Sequence, residues 1–388
     1  MASNIIGWAH TKFGKLSGET VETLITSVAH EALTHAAVDA ADIDAIFLGH
    51  FNAGFSAQDF TASLVLETDH ALRFKPATRV ENACATGTAA VNQALFWLEA
   101  NKGRTALVVG VEQMTNASAE DIGANLLKAS YLPESGTTGA GFAGVFGQIA
   151  DLYFQTYGDH SDALASIAAK AHSNGVLNPY AQLRKDLGFD FCRHESPQNP
   201  RVAGPLKRTD CSPVSDGAAA IVIASDDFAV CSPRAVRFRA NVHVQDFLPL
   251  SRRDILRFEG CNIAWRKALE TTSLSLDDLS FVETHDCFTI AELLEYEAMG
   301  LTKPGKGATA VHEGWTRRDG KLPVNPSGGL KSKGHPIGAT GVSMHALTAM
   351  QLCGDAGDMQ ISNATIAGIY NMGGAAVANY VSILERTR

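Results

Sequence analysis

The sequence predicts an α/β protein built as two similar halves around a long insertion, and three observations predict it. Setting residues 32–46, ALTHAAVDAADIDAI, beneath residues 268–282, ALETTSLSLDDLSFV, aligns Asp42 with Asp278, Ile43 with Leu279 and Ile46 with Val282 without a gap. Both stretches read as helix, short acidic loop and apolar strand. A second pairing sets CATGTAAVNQALFWL from Cys84 against HPIGATGVSMHALTA from His335, so that Gly87 meets Gly338 and two helical patterns run side by side. Third, residues 116–210 change composition toward Gly, Ser, Asn and Pro and separate the two matches. Each half alternates strands and helices, as a mostly parallel sheet does.

The first half spans residues 1–115 and closes on RTALVVGVEQM, which reads as a buried strand ending in a turn. The insertion, 116–210, carries helical patches at VFGQIADLYFQTYG and HSDALASIAAKAHS. Long functional loops between scaffold elements commonly bind substrate. The chain returns to complete the first half at about 211–231, where SDGAAAIVIAS is an apolar run of strand type. The second half, 232–388, opens on SPRAVRFRA.

Composition narrows the function. With 388 residues, 45% hydrophobic and 19% charged, the chain has material for two or three compact units. A net charge of −9 argues against a nucleic-acid binder or a protein of anionic membrane surfaces, which would want a basic face. The seven cysteines, at 84, 192, 211, 231, 261, 287 and 353, contain no C-x-x-C pair of the zinc or redox kind, so no metal is expected and a reduced, cytoplasmic setting is. The N-terminus lacks a secretory pattern, no stretch reaches the ~18 apolar residues of a membrane span, and the final ERTR is not a peroxisomal address.

Four loops could carry chemistry. Cys84 stands where a strand ending collapses into small residues that open a helix. A helix N-terminus and a nearby imidazole each favour thiolate, which lowers a cysteine pKa from about 8.5 to roughly 3.5–7.5. The alternative is a buried cysteine acting as a small hydrophobe. In NPSGGLKSKGHPIGATG, residues 325–341, seven glycines and prolines surround His335, a backbone cost that suits a loop holding one shape. Pro336 fixes the entry to the following helix. ETHDCFTIAELLEYEAMG, residues 283–300, sets His285 and Cys287 between a strand and an amphipathic helix, with Asp286 as a default cap of that helix. IAGIYNMGGAAVANYVSI, residues 366–383, reads as two strands joined by a Gly-Gly turn, either a plain hairpin or the source of an oxyanion-hole N–H.

These four loops, in this order, resemble the thiolase superfamily, and GHPIGATG is a highly specific motif of it. HDCF at 285–288, HSNGVLNPYAQL at 172–183, DCSPVSDGAAA at 210–220 and NMGGA at 371–375 are similar to the sterol-carrier-protein-2-type thiolases, with Asn371 at the place where common thiolases carry a cysteine. The resemblance implies a duplicated, five-layered α-β-α-β-α fold and a Claisen-type exchange on coenzyme A thioesters, of the kind used in β-oxidation. It implies that Cys84 carries the acyl group, His335 takes its proton and donates to the thioester oxygen during enolate chemistry, Cys287 is the second acid/base, and His285 helps bind the thioester oxygen, directly or through water. The N–H groups of Cys84 and Gly373 would form an oxyanion hole. CoA would lie on the insertion, with Ser212 at its pantetheine, Phe146 in the apolar wall, and Arg201, Lys207 and Arg208 as phosphate candidates. That basic loop reads equally well as a solvated face.

CoA and acyl-CoA are thus the expected partners, with no further cofactor, and a homodimer is the expected assembly with a tetramer as the alternative. The rival readings are a thiolase-like C-acyltransferase or aldolase working beside an OB-fold partner, and a non-catalytic acyl-CoA-binding subunit. Intact Cys84, His285, Cys287 and His335 weigh against both. The chain is also expected to carry no sterol-carrier domain after the fourth loop.

Overall fold

A computed structural model describes residues 3–136 and 140–387. Its strands, in chain order, are β1 (Ser3–His10), β2 (Ala45–Gly49), β3 (Ala77–Val80), β4 (Thr105–Glu112), β5 (Arg201–Ala203), β6 (Leu206–Lys207), β7 (Gly217–Ser225), β8 (Val236–Gln245), β9 (Phe281–Glu283), β10 (Ile366–Gly373) and β11 (Ala378–Arg386). Nine of them form one sheet in the order β3-β2-β4-β7-β1-β8-β11-β10-β9, while β5 and β6 make a separate ribbon in the insertion.

The order folds back on itself about the seam between β1 and β8. Moving outward, β1, β7, β4, β2 on one side correspond to β8, β11, β10, β9 on the other, and β3 corresponds to the isolated parallel bridge between Val282 and Val324. Among the described residues only Asn4 with Arg237 and Ile5 with Val236 pair across the seam. The duplication is therefore structural. Each half-sheet is mixed rather than mostly parallel, because β7 and β11 run against both neighbours. The tight turn after Gly373 forces β11 back beside β10, since a short hairpin joins only antiparallel strands.

β4 and β7 are buried at every position, which fits strands covered on both faces. Alternate residues divide between two cores. Ile46, Leu107, Val109 and Val222 pack with the outer helix Val21–Ala36, whereas Phe47, Val108, Ile221 and Ile223 face the molecule's centre. Helix Glu259–Thr272 plays the outer part against β8 and β11. Two helices fill the central layer, Thr86–Glu99 and Ile337–Cys353, and residues 337–352 are buried without exception. They cross through glycine: a Cβ at Gly87 would stand 2.8 Å from the Gly341 nitrogen, and one at Gly341 would stand 2.2 Å from the Thr88 nitrogen. This contact brings the starts of the two helices together.

Glu112, at the end of β4 and fully buried, clasps the halves. Its carboxylate accepts from the backbone N–H of Phe51, Asn52 and Gly338, each at 3.1 Å. Glu112→Ala leaves three buried donors unmet, and the expected loss is about 3–5 kcal/mol of unfolding free energy. Urea denaturation followed by circular dichroism measures it; an unchanged midpoint would show that the clasp contributes nothing. The insertion folds as helices Ala119–Leu127, Leu132–Ser135, Gly141–Tyr157, Ser161–Leu177 and Gly188–Arg193 with the β5–β6 ribbon. No helix among the described residues is long and apolar enough to cross a membrane.

Candidate active site

Cys84 and His335 hold equivalent places. Each stands one residue before the N-cap of a central helix, Ala85 for Thr86–Glu99 and Pro336 for Ile337–Cys353. The chain reaches Cys84 through Ala83, whose φ of 49° lies in the left-handed region that disfavours a side chain. Gly334, with φ of 114°, turns the chain into His335, whose N–H donates to Ser215 Oγ at 3.0 Å. His285 leaves the end of β9, and Cys287 precedes the helix Thr289–Ala298. The insertion's exit is tied to this loop, because the Ser212 N–H donates to the Cys287 carbonyl at 2.9 Å.

Cys84 Sγ and ring nitrogens of His285 and His335 lie within 4.8 Å of one another, and all three residues are buried. The two imidazoles meet edge to face with centroids 5.0 Å apart. One cysteine and two histidines are residue types that zinc sites also use. The set is equally what a thiol nucleophile and two proton-handling groups around one carbonyl require.

His335 has a defined tautomer. Its Nδ1 lies 2.7 Å from Thr340 Oγ1, and that hydroxyl donates to the Pro336 carbonyl at 2.9 Å. The Thr340 proton is thus spent, so Nδ1–H is the donor and Nε2 carries the lone pair. Nε2 is buried without a partner among the described residues. Burial, aided by the Lys333 ammonium, pulls the His335 pKa down to about 3, so the ring is neutral at pH 7. Burial, with His335 and Lys333, also holds His285 well below the usual imidazole range.

Cys84 departs from the sequence expectation. Burial pushes its thiol up to about 12, outweighing the Gly374 and Cys84 backbone N–H groups that favour thiolate. A dry pocket penalises the anion more than two amides relieve it. Burial likewise pushes Cys287 well above the ordinary thiol value, with the neighbouring Cys84 and Glu295 adding to it. The amide that reaches the Cys84 sulfur is that of Gly374, not the expected Gly373, because the left-handed turn at Gly374 (φ 62°) aims its N–H back toward the helix start.

Above these groups opens a cavity of about 550 Å³ whose lining includes Cys84, Cys287 and His335, with Met114, Leu127, Phe142 and Phe288 as apolar wall. Ser212 lines it as expected. Phe146 stands one layer behind, fully buried and stacked on Phe288 at 4.5 Å between centroids. Arg201 and Arg208 are exposed, Arg201 pairing with Glu195 at 3.1 Å. Lys207 corrects the expectation: its ammonium is buried 3.1 Å from Asp210, held there by a carboxylate that also accepts the Lys207 N–H, and is not free for a phosphate. Asp286 differs too. It accepts from the Leu330 N–H at 2.6 Å and the Lys331 N–H at 3.3 Å, bracing the loop that leads to His335 instead of capping its own helix.

Reading the sequence did not single out Thr340, Ser215, Thr88 or the contacts of Asn371. Asn371 Nδ2 lies 2.8 Å from His285 Nδ1 and 3.4 Å from the Cys84 carbonyl, while its Oδ1 accepts from Thr88 Oγ1 at 2.7 Å. A polar residue inside the apolar run IAGIYNMGG was the signal available.

A duplicated α/β fold that brings a cysteine and a histidine together from equivalent helix starts has the thiolase architecture. Family comparison agrees over nearly the whole chain. Residues 3–227 match the thiolase N-terminal domain and residues 244–386 the thiolase C-terminal domain-like family, so the protein belongs to the thiolase family. It is 35% identical over 386 residues to the acetyl-CoA acetyltransferase of Methanothermobacter thermautotrophicus, covering 98% of this chain and 99% of that one. It is 35% identical over 322 residues to human sterol carrier protein 2, covering 78% of this chain and 57% of that one. Among solved structures it shares its fold with an Ltp2-ChsH2(DUF35) aldolase, at TM-score 0.83 and 19% identity over 100% of this chain and 98% of that one. It shares it also with an acetyl-CoA acetyltransferase from Syntrophomonas wolfei, at TM-score 0.72 and 16% identity over 99% of each.

Proposed function

We propose that the protein transfers acyl groups to and from coenzyme A through a thioester on Cys84, cleaving 3-oxoacyl-CoA to a shortened acyl-CoA plus acetyl- or propionyl-CoA, or running the condensation that makes acetoacetyl-CoA. The observation that carries this reading is the meeting of Cys84 Sγ with ring nitrogens of His285 and His335 within 4.8 Å, at the foot of an apolar cavity lined by Cys84, His335 and Cys287.

In the cleavage direction His335 Nε2 takes the Cys84 proton and the thiolate attacks the C3 ketone carbon. The developing oxyanion is met by the N–H groups of Cys84 and Gly374. The C2–C3 bond breaks with its electron pair going to C2, and the enolate oxygen of the departing thioester is held by His285. Cys287 gives a proton to C2, releasing acetyl-CoA, or propionyl-CoA when C2 carries a methyl group. A CoA thiol then gives its proton to the Cys287 thiolate and attacks the acyl-cysteine, and His335 returns its proton to the departing Cys84 sulfur, so that both thiols are restored. Ser212 faces the pantetheine arm, and Arg201 and Arg208 are the exposed cations for its phosphates. CoA is substrate here, and no further cofactor enters the scheme. A homodimer remains the proposed assembly.

Retro-aldol cleavage is the second reading, prompted by the shared fold with an Ltp2-ChsH2(DUF35) aldolase. It would remove a hydroxyl proton and need no acyl-enzyme, which leaves the buried nucleophile Cys84 without a task. Intact mass spectrometry after mixing with acetyl-CoA or acetoacetyl-CoA separates the two. An acetyl adduct that maps to Cys84 is expected; its absence with both donors, and with longer 3-oxoacyl-CoA, would remove the acyl-transfer reading.

A further inference from the structure

We infer that Asn371 is a positioning residue that fixes His285 as an Nε2–H donor aimed at the substrate's thioester oxygen, and the inference rests on the acyl-transfer reading above. The Asn371 amide has one orientation that satisfies its surroundings. Its nitrogen faces the Cys84 carbonyl, at 3.4 Å, which can only accept, while its oxygen takes the Thr88 hydroxyl proton at 2.7 Å. The same nitrogen stands 2.8 Å from His285 Nδ1. An amide N–H donates, so Nδ1 must offer its lone pair, and in a neutral imidazole the one proton then sits on Nε2. His285 Nε2 is fully buried and has no partner among the described residues, so its donor is unspent.

His335 is set the opposite way by the Thr340 hydroxyl, with its lone pair on Nε2. The two rings, 5.0 Å apart beside Cys84, thus carry one unspent acceptor and one unspent donor. That asymmetry is what the reaction needs, one ring to remove the thiol proton and one to hold an oxygen that becomes enolate. Burial keeps both rings neutral, so the tautomer and not the charge decides which does which. The arrangement also disfavours a metal ion at this triad, because binding at His285 Nε2 would need the lone pair that the Asn371 amide places on Nδ1.

Asn371→Asp tests the inference with almost no change of shape. A carboxylate can only accept, so His285 Nδ1 should become protonated. Long-range ¹H–¹⁵N spectra of ¹⁵N-histidine-labelled protein, with His285 assigned by its loss in His285→Gln, read which nitrogen carries the proton. The wild type should show a bare Nδ1 and the variant a protonated Nδ1. At pH 9 the variant's kcat should fall about 10²–10³-fold, the cost of losing one oxyanion donor, with KM changed far less. If Asn371→Asp folds poorly, Thr88→Val serves instead: it frees the amide to turn over, and a mixture of both His285 tautomers is expected. A protonated Nδ1 in the wild type, a bare Nδ1 in Asn371→Asp, or a reversed tautomer with kcat unchanged would each overturn the inference. Failure of the acyl-transfer reading would show separately, as a wild type that forms no acyl adduct while its ring-nitrogen spectrum stands.

Discussion

Cys84→Ala is expected to lower turnover of acetoacetyl-CoA by at least about 10⁴-fold, while Cys287→Ala loses the carbon–carbon step and keeps acylation. The two thiols line one cavity but sit in different loops and would meet different atoms of the substrate. Removing Cys84 removes the atom that bonds the acyl group, and no other described group in the cavity replaces it within reach of both imidazoles. Removing Cys287 leaves Cys84, His335 and the two amides intact, so acetyl-CoA should still leave a mass adduct. What should vanish is exchange of the acetyl-CoA methyl protons with deuterated solvent, since no thiol then serves C2. The Cys84 side chain faces open cavity, so its truncation should leave the thermal midpoint within a few degrees of wild type. A Cys84→Ala protein that kept more than a tenth of its turnover would point to retro-aldol chemistry or to another nucleophile. Loss of the adduct in Cys287→Ala would sink the division of labour between the thiols.

Much of the architecture was legible because it is written twice. The match of Cys84 with His335 rests on small residues at helix starts: Gly87 is required by the backbone contact with the other central helix, and Gly338 by the carbonyls of Val111 and Gly49 at the strand ends beneath it. A one-dimensional alignment therefore located a three-dimensional meeting point. The direction of the Cys84 pKa was not legible, since it depends on how dry the helix start becomes when both halves close over it. Lys207 misled for a related reason. A basic run at 207–208 looks like one feature, yet the turn that follows buries the first side chain against Asp210 and exposes the second. Asp286 braces residues 330 and 331, far along the chain, where local capping rules say nothing. Asn371 was visible as a departure from the common pattern, but its meaning needed the direction of each hydrogen bond around it.

His335→Asn should turn a pH-independent acylation into one that climbs with pH. In the wild type, His335 stays neutral down to about 3 and Cys84 stays a thiol up to about 12, so the reactive pair holds one protonation state across the working range. Proton transfer then happens inside the encounter, and the rate of acylation by acetyl-CoA should be flat from about pH 6 to pH 9, with no inflection in the ordinary imidazole range near pH 6.5. Without the ring, attack must wait for the free thiolate. With the thiol at about 12, that species is roughly one part in 10⁵ at pH 7, and the expected loss is about 10²–10⁴-fold, the usual worth of a positioned base. The thiolate fraction grows tenfold per pH unit until the thiol's own pKa is reached, so the variant should recover about 10²-fold between pH 7 and pH 9. The sign is fixed by the direction of the Cys84 shift: a thiol lowered by its helix, as first expected, would already be ionised at pH 7 and the variant would show no slope. Rapid-quench acylation by acetyl-CoA alone is the cleanest measurement, because it leaves out the ionisation of the CoA thiol. A wild-type profile that bends near pH 6.5, or a His335→Asn profile that does not rise, would mean that Cys84 is activated by something other than the neutral imidazole beside it.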